Sequence, residues 1–351
     1  MIDAMPRTNA IHSAPQAARE YAELKNLMKQ NGLLEKQPVY YTLKIVLLLG
    51  LLAISVAFLL LVHIFWLQLL NAVFLAFITT QLGLLGHEAG HRQIFQKTWK
   101  NDLIGLLAGD LFIGMSNAWW IDKHNRHHSH PNQSDHDPDI NIPLLSFNGE
   151  DISGKGKFTQ FIIRHQAAFF FPLLLLVGLD LQKSSMRFLF RTREKYHTAE
   201  VILMVVHYIA YISVLFLLLG IGPALLFMLV HQCLSGLYLG SIFAPNHKGM
   251  PILEKDTDMG FLYRQVVTAR NVKAHPITDF WYGGLNYQIE HHLFPAMPRN
   301  RLPEAQRITE AFCEVHAIPY YETGVIQSYQ EILQHLHRVS APFRKAHSLA
   351  K

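Results

Sequence analysis

The stretch YTLKIVLLLGLLAISVAFLLLVHIFWLQLLNAVFLAFITTQLGLLGHEAGH, residues 41–91, decides how this chain folds. It contains two apolar runs, 41–62 and about 64–86, with almost no loop between them. Each run has about the 20 residues that a helix needs to cross the hydrocarbon core of a bilayer. The stretch therefore predicts a tight transmembrane hairpin whose second helix leads directly into the polar motif HEAGH.

A second hairpin is predicted further along the chain. Residues 199–219 and 223–244 form two more apolar runs, joined by Gly220, Gly222 and Pro223. The composition agrees, because 50% of the residues are hydrophobic and only 16% are charged, whereas a soluble domain has roughly 25% charged residues. We expect an all-α integral membrane protein with four transmembrane helices in two hairpins.

Two other apolar stretches, 103–121 and 161–181, are interpreted as interfacial or re-entrant segments. Polar residues interrupt the first of them, among them Asp110 and Asn117. If the second crossed the membrane, the five cations of 182–198 would lie outside, against the usual enrichment of Lys and Arg in cytoplasmic loops. With four spans, both termini and every Lys and Arg outside the spans share one side, which we expect to be the cytoplasm.

This topology divides the chain into five parts. They are a cytoplasmic N-terminal segment (1–40), the first hairpin (41–86), a cytoplasmic cap region with interfacial helices (87–198), the second hairpin (199–244) and a cytoplasmic C-terminal part (245–351). In the N-terminal segment, helical spacing of apolar residues such as Tyr21, Leu24 and Met28 predicts a short amphipathic helix. That helix either contacts the membrane surface or packs against the rest of the protein.

Histidine is the unusual component, with 21 residues against 26 acidic ones. Positions i, i+3 and i+4 of a helix share one face, and neutral imidazole binds iron, zinc, copper and nickel. Three motifs on the expected cytoplasmic side, HEAGH, HNRHH and QIEHH, place histidines at such spacings. They contain His87, His91, His124, His127, His128, His291 and His292. Seven imidazoles exceed what one tetrahedral zinc uses, so the sequence predicts a two-metal site.

The first motif also has the HExxH form of an intramembrane zinc metalloprotease, with His87 and His91 as ligands and Glu88 as general base. That alternative needs a further ligand, leaves the other two motifs without a role and lacks a late Asp-Gly pair. A non-catalytic metal- or heme-binding membrane protein is another alternative. Nucleic acid is not an expected partner, because the basic residues are scattered and form no stripe with exposed aromatics.

In this order, and with these hairpins around them, the three motifs resemble the histidine boxes of the membrane fatty acid desaturases. HNRHHSHPNQSDHDPDI (124–140) resembles their second box and its acidic extension, whose Asp135, Asp137 and Asp139 we expect to orient ligand imidazoles together with His130 and His136. GGLNYQIEHHLFPAMP (283–298) resembles the third box of front-end and linoleoyl-CoA-type acyl desaturases. The resemblance runs from about residue 40 to 300 and implies four membrane helices and a helical cytoplasmic cap that holds a diiron site.

Two further ligand positions follow from the resemblance. The family uses a ligand just after the fourth helix, and in APNHKGM His247 occupies about that place, with Asn246 beside it. The third box begins with Gln288 rather than a histidine, which is usual for this branch of the family. Gln288 and Asn246 are expected to be weak or water-mediated ligands, whereas the seven box histidines and His247 are expected to bind the metal directly.

The implied enzyme is an oxidoreductase, a non-heme diiron desaturase that uses two iron ions and dioxygen to introduce a double bond into an acyl-CoA or acyl-lipid. A hydroxylase or related diiron oxygenase is the alternative within the same chemistry. The HPGG motif of a fused heme domain is absent from this sequence. We therefore expect electrons from an external donor such as ferredoxin with its reductase.

Overall fold

The computed structural model describes residues 14–149, 152–257 and 259–349, and nearly all regular structure in them is helical. In chain order the helices are α1 (Ala14–Gln30), α2 (Pro38–Leu61), α3 (Phe65–Gly90), α4 (Thr98–Leu106), α5 (Asn117–Ser129), α6 (Lys157–Arg164), α7 (Gln166–Leu174) and α8 (Val177–Arg191). They continue with α9 (His197–Leu219), α10 (Ile221–His247), α11 (Phe261–Val267), α12 (Pro276–Trp281), α13 (Gln288–Leu293), α14 (Leu302–Val315), α15 (Val325–Val339) and α16 (Ala341–Leu349). Two short strands, β1 (Asn271–Val272) and β2 (Glu322–Thr323), pair in parallel.

The chain forms two compact units, each described by itself. The polar unit comprises residues up to 35, 123–170 and those from 242 onward, and the apolar unit comprises 36–122 and 171–241. Helices α5, α7 and α10 contribute residues to both units. The division separates the three histidine motifs, because HEAGH belongs to the apolar unit whereas HNRHH and QIEHH belong to the polar unit.

Four helices in the described part of the chain, α2, α3, α9 and α10, are long and apolar enough to cross a membrane. This confirms the predicted number of candidate spans. Two of them continue beyond their predicted ends. Helix α3 runs to Gly90, so most of HEAGH is its last turn. Helix α10 runs to His247 and contains Pro245, so His247 is a helical residue rather than a residue of the following loop.

Polar side chains join the two helices of the first hairpin from inside. The Ser55 hydroxyl donates to Asn71 Oδ1 at 2.8 Å, and the Asn71 amide donates to the Ser55 carbonyl at 3.1 Å. The Gln68 amide donates to the carbonyls of Phe58 and Val62, where α2 ends. A bilayer core contains no water that could hydrogen-bond to these groups, so they form their hydrogen bonds within the hairpin. These hydrogen bonds stabilise its tight turn.

Each of the two apolar stretches interpreted as interfacial or re-entrant, 103–121 and 161–181, overlaps a bent helix pair. Helix α4 and a π-helical segment (Leu107–Ile113) meet α5 at 111°, and α7 meets α8 at 70°. The first bend is fixed in the apolar unit by α9, since Tyr208 donates to the Gly114 carbonyl and His207 to the Leu111 carbonyl, both at 2.8 Å. Gly114 has φ 73°, and a Cβ atom there would lie 2.5 Å from the His207 ring, so only glycine fits.

The core of the polar unit explains the amphipathic pattern of α1. Its Leu24 and Met28 are fully buried in an apolar cluster with Ile289 and Leu293 of α13, the helix that carries QIEHH. The Tyr21 hydroxyl also donates to the Leu293 carbonyl at 2.9 Å. Of the two interpretations of α1, the structure shows packing against the protein.

Candidate metal centre

Six of the eight predicted histidine ligands lie in one cluster of the polar unit. Helix α5 presents the three histidines of HNRHH from its last turns, and α13 presents the two of QIEHH. The sixth, His247, is the last residue of α10. The cluster therefore combines segments separated by more than 100 residues of sequence. Its members are His124, His127, His128, His247, His291 and His292.

Three of these imidazoles converge through the same ring atom. The Nε2 atom of His247 lies 3.2 Å from Nε2 of His127 and 3.1 Å from Nε2 of His292. All three residues are at least 94% buried, and their ligand atoms lie within 4.8 Å of one another. The group is buried, compact and made of nitrogen donors.

The opposite nitrogen of each ring is held by an acceptor, which determines where the proton resides. His247 Nδ1 lies 2.9 Å from the Thr268 carbonyl oxygen, and His127 Nδ1 lies 3.0 Å from both oxygens of Asp137. Because a carbonyl or carboxylate oxygen accepts hydrogen bonds, Nδ1 carries the hydrogen in both rings. Their Nε2 atoms therefore present lone pairs to each other.

His292 has the same arrangement. Its Nδ1 lies 2.8 Å from Gln265 Oε1. The orientation of that amide is determined, because Gln265 Nε2 donates to the His128 carbonyl at 2.8 Å. Burial lowers the pKa of His292 well below its ordinary value. The ring is therefore neutral, the form in which histidine binds metals.

This geometry fits a metal ion. Lone pairs about 3.1 Å apart repel each other in a buried site unless a proton or a cation lies between them. Imidazole nitrogens bind metals such as zinc at about 2.0–2.1 Å, so two cis ligands at right angles lie about 3 Å apart. The Nε2 separations of 3.1 and 3.2 Å match that spacing.

The other three histidines of the cluster lie next to this group. The Nε2 atoms of His124 and His128 are 2.9 Å apart. The His128 ring stacks on His292 with a centroid distance of 4.1 Å, and its centroid lies 4.8 Å from that of His291. The cluster therefore contains more imidazoles than one tetrahedral ion takes.

Gln288 and Asn246 lie at the edge of the same group. Gln288 Nε2 is 3.0 Å from His247 Nε2, and its Oε1 accepts a hydrogen bond from Asn246 Nδ2 at 2.9 Å. Both side chains are buried, and Asn246 Oδ1 has no hydrogen-bond partner in the described part of the chain. Two amide groups thus lie beside the imidazoles.

The acidic extension of HNRHH contributes unequally. Burial acts to raise the pKa of Asp137, but the hydrogen-bonding interaction with His127 outweighs burial and lowers that pKa. Asp139 pairs with Lys123 and lies 3.5 Å from His127 Nδ1. In contrast, Asp135 pairs with exposed Lys255. Of the expected orienting residues, Asp137 and Asp139 contact a candidate ligand, whereas His130 and His136 stack on each other.

Residues that the sequence did not single out stabilise the backbone that carries the cluster. Arg270 is fully buried and pairs with Glu331 at 2.5 Å. Its other nitrogens donate to the carbonyls of Pro245 and Lys248, on either side of His247. Arg270 therefore fixes the end of α10 where the histidine is presented. A lone arginine in the otherwise uncharged segment VVTARNV was the available signal.

The third box is anchored in a similar way. Glu290 accepts hydrogen bonds from Asn271 Nδ2 at 2.7 Å and from the Tyr320 hydroxyl at 2.9 Å. Asn271 Oδ1 in turn accepts from the Ile289 backbone amide at 2.9 Å. Since Asn271 belongs to β1, the parallel pairing of β1 with β2 connects this anchor to the C-terminal part of the chain.

The remaining two predicted ligands belong to the apolar unit. His87 and His91 lie at the end of α3 with ring centroids 4.8 Å apart, and His87 meets Trp120 edge-on at 5.2 Å. Between them, Glu88 is only 3% exposed, and both its oxygens lie 2.6 Å from Nζ of Lys44 on α2. Glu88 thus forms a buried ion pair between two candidate spans, which disfavours the general-base role that a zinc protease requires.

Comparisons with known proteins identify the family and several relatives of this chain. A family model described as "Fatty acid desaturase" matches residues 64–324. The chain is 28% identical to an acyl-lipid (9-3)-desaturase of Physcomitrium patens, over 96% of this chain and 66% of that protein. It is 30% identical to a Delta(8)-fatty-acid desaturase of Euglena gracilis (90% and 79% covered) and 29% identical to the Delta(6)-fatty-acid desaturase fat-3 of Caenorhabditis elegans (90% and 74% covered). The chain spans about two thirds of the length of the first of these relatives.

Proposed function

The chain belongs to the fatty acid desaturase family, and on that premise we propose that it introduces a double bond into a fatty acyl chain at a histidine-bound diiron centre. The observation that carries the proposal is the convergence of three buried imidazoles through Nε2. A zinc protease explains neither this group nor the ion-paired state of Glu88. The names of the relatives also favour a desaturase over a hydroxylase.

We assign one iron to His127, His247 and His292, with Gln288 and Asn246 as weak or water-mediated ligands beside it. The other five predicted ligands are assigned to the diiron centre from the histidine motifs and the number of imidazoles alone. They are His87, His91, His124, His128 and His291.

The protein's contribution to the chemistry is to hold these ligands and orient them. When bound, two irons supply with dioxygen the strong oxidant that removes hydrogen from an unactivated methylene, which no side chain supplies. Asp137, Thr268 and Gln265 keep the hydrogen of each ring on Nδ1, so that Nε2 remains a donor to the metal. Such outer hydrogen bonds typically change metal affinity 10–100-fold.

The substrate and the partners are proposed from the relatives. Their names contain Delta(8), Delta(6) and acyl-lipid (9-3), which favours a double bond in the carboxyl-proximal part of an acyl chain carried by a lipid or by CoA. Electrons are proposed to come from a separate protein such as ferredoxin with its reductase. We further propose a multi-pass membrane protein whose termini and metal site are cytoplasmic, because the Lys and Arg residues outside the spans share that side.

The test is to express the chain in a host without polyunsaturated lipids and to feed it defined fatty acids. New double bonds are then located by mass spectrometry, with His292→Ala as the inactive control. The wild-type chain should form an unsaturated product and contain iron approaching two atoms per chain. A hydroxylated product would support the oxygenase alternative, and a zinc-containing chain with peptidase activity and no lipid product would refute the proposal.

A further inference from the structure

The outer face of helix α8 has a feature that the metal centre does not explain. Three exposed apolar side chains, Leu179, Met186 and Phe190, lie at i, i+7 and i+11 and therefore form one stripe along the helix. Phe190 is 91% exposed, an unusual state for a phenylalanine. An aligned stripe of this kind indicates a contact surface rather than scattered exposure.

A second stripe of opposite character runs beside it. Exposed Lys183, Arg187 and Arg191 lie at i, i+4 and i+8, next to the apolar stripe on the helix surface. Asp180 is the one acidic residue of α8, so the face carries a net positive charge. Glu194 in the following segment is accompanied by Arg193 and Lys195, so the charge stays positive up to the start of α9.

The inner face fixes α8 within the apolar unit. Gly178, Gln182 and Ser185 are buried, and the Gln182 amide donates to the Ile113 carbonyl at 2.9 Å. A Cβ atom on Gly178 would lie 3.4 Å from the backbone nitrogen of Gly236 on α10, one of the candidate spans. The rotation of α8 about its axis is therefore set, and the two stripes point outward.

The position of α8 along the chain places this face at a membrane boundary. Five residues, 192–196, separate its end from His197, the first residue of the candidate span α9. Such a segment reaches at most about 17 Å. A helix held that close to a span, with an apolar stripe beside a cationic one, is typical of helices that lie in the lipid interface.

We propose that α8 is a membrane-surface element whose Leu179, Met186 and Phe190 insert among acyl chains while Lys183, Arg187 and Arg191 bind the phosphate groups of anionic phospholipids. Lys and Arg side chains reach headgroups from such a position because their long stems lie along apolar surface. An acidic protein surface would complement the three cations but not the apolar stripe. A bilayer complements both stripes, and the adjacent candidate span also lies in it.

The depth of the apolar stripe is tested on the full chain in nanodiscs. A single cysteine at Phe190→Cys, in a Cys233→Ala/Cys313→Ala background, is labelled with an environment-sensitive fluorophore, with Val315→Cys as the reference because Val315 is 82% exposed on α14. The label at 190 should emit at shorter wavelength and be quenched more by 5-doxyl than by 12-doxyl lipid. Water-like emission at 190, equal to that at 315, would overturn the proposal.

The cationic stripe is tested by lipid selectivity. Nanodiscs of mixed phosphatidylcholine and phosphatidylglycerol are used, and the lipids retained by the purified chain are counted by native mass spectrometry. The triple variant Lys183→Gln/Arg187→Gln/Arg191→Gln should lose phosphatidylglycerol preference by about fivefold for each cation removed. The control Arg19→Gln/Lys25→Gln/Lys29→Gln removes the same charge from exposed positions of α1 and should keep the preference.

Equal selectivity in both triple variants would refute the headgroup assignment. The same holds if the α8 variant keeps its lipids but loses affinity for an acidic electron-transfer protein, because the face would then be a protein-docking surface. Neither readout requires turnover, so the outcome is independent of whether the chain is a desaturase.

Discussion

The buried ion pair between Lys44 and Glu88 leads to the most quantitative prediction. Its partners come from α2 and α3, with 11% and 3% of the side chains exposed and Nζ 2.6 Å from both carboxylate oxygens. Removing one member of a buried pair costs about 3–5 kcal/mol, because a charge is left in a poorly solvated place. Replacing both by neutral side chains of similar size is often close to neutral.

Lys44→Met should therefore lower the free energy of unfolding by about 3–5 kcal/mol. Glu88→Gln should cost less, about 1–3 kcal/mol, because the partly exposed lysine can extend toward solvent. The double variant Lys44→Met/Glu88→Gln should lie within about 1 kcal/mol of wild type. The coupling energy between the two positions is then at least about 3 kcal/mol.

The assay is unfolding of the purified chain in mixed micelles by titration with SDS. Lys25→Met on the exposed side of α1 is the matched control and should change stability by no more than about 0.5 kcal/mol. Iron content is measured in parallel, since Glu88 lies next to His87 on the last turn of α3. The reasoning fails if Lys44→Met is as stable as wild type, or if the double variant is no better than Lys44→Met.

Three further predictions concern the metal centre. His247→Ala should abolish desaturation and reduce bound iron. The His231 ring contacts Thr79 and Tyr211, so His231→Ala should lose less activity and less iron. The reverse ranking would remove His247 from the site. Asp137→Asn should weaken iron binding 10–100-fold while far-ultraviolet circular dichroism is unchanged, and unchanged affinity in a metal titration would show that the carboxylate does not support His127. Arg270→Met should lower the melting temperature and the iron content together. The variant releases the backbone on both sides of His247 and leaves Glu331 without its arginine. Full iron content in a folded Arg270→Met protein would refute that positioning role.

Much of the architecture was predictable because it is encoded locally. Run length alone identifies helices that can cross a bilayer, and all four predicted runs correspond to candidate spans. Helical spacing likewise placed the histidines of HNRHH on one helix face. The motifs also predicted membership of the fatty acid desaturase family, which the family model and the relatives confirm. The set of eight histidine ligands stays a prediction until the metal is measured.

The tertiary structure decided what lies behind each ligand. Asp137 follows HNRHH closely, but Gln265 and Thr268 reach their histidines from α11 and the residue after it, and no periodicity marks them as acceptors for imidazole. Arg270 is likewise distant in sequence from Glu331. Such pairs depend on how elements pack, and their residue types are also common on solvated surfaces.

Two local patterns were ambiguous until the packing was known. The apolar positions of α1 fit a membrane surface as well as a protein core, and only the contacts of Leu24 and Met28 with the α13 cluster distinguish the two. Glu88 in HEAGH fits a general base as well as an ion-pair partner, and only Lys44, 44 residues earlier in the chain, distinguishes these roles. A sequence determines which face or chemistry a residue offers, because that depends on neighbours within a helical turn. Which partner meets that face depends on the path of the whole chain, because the burial that selects the partner exists only after the elements have packed together.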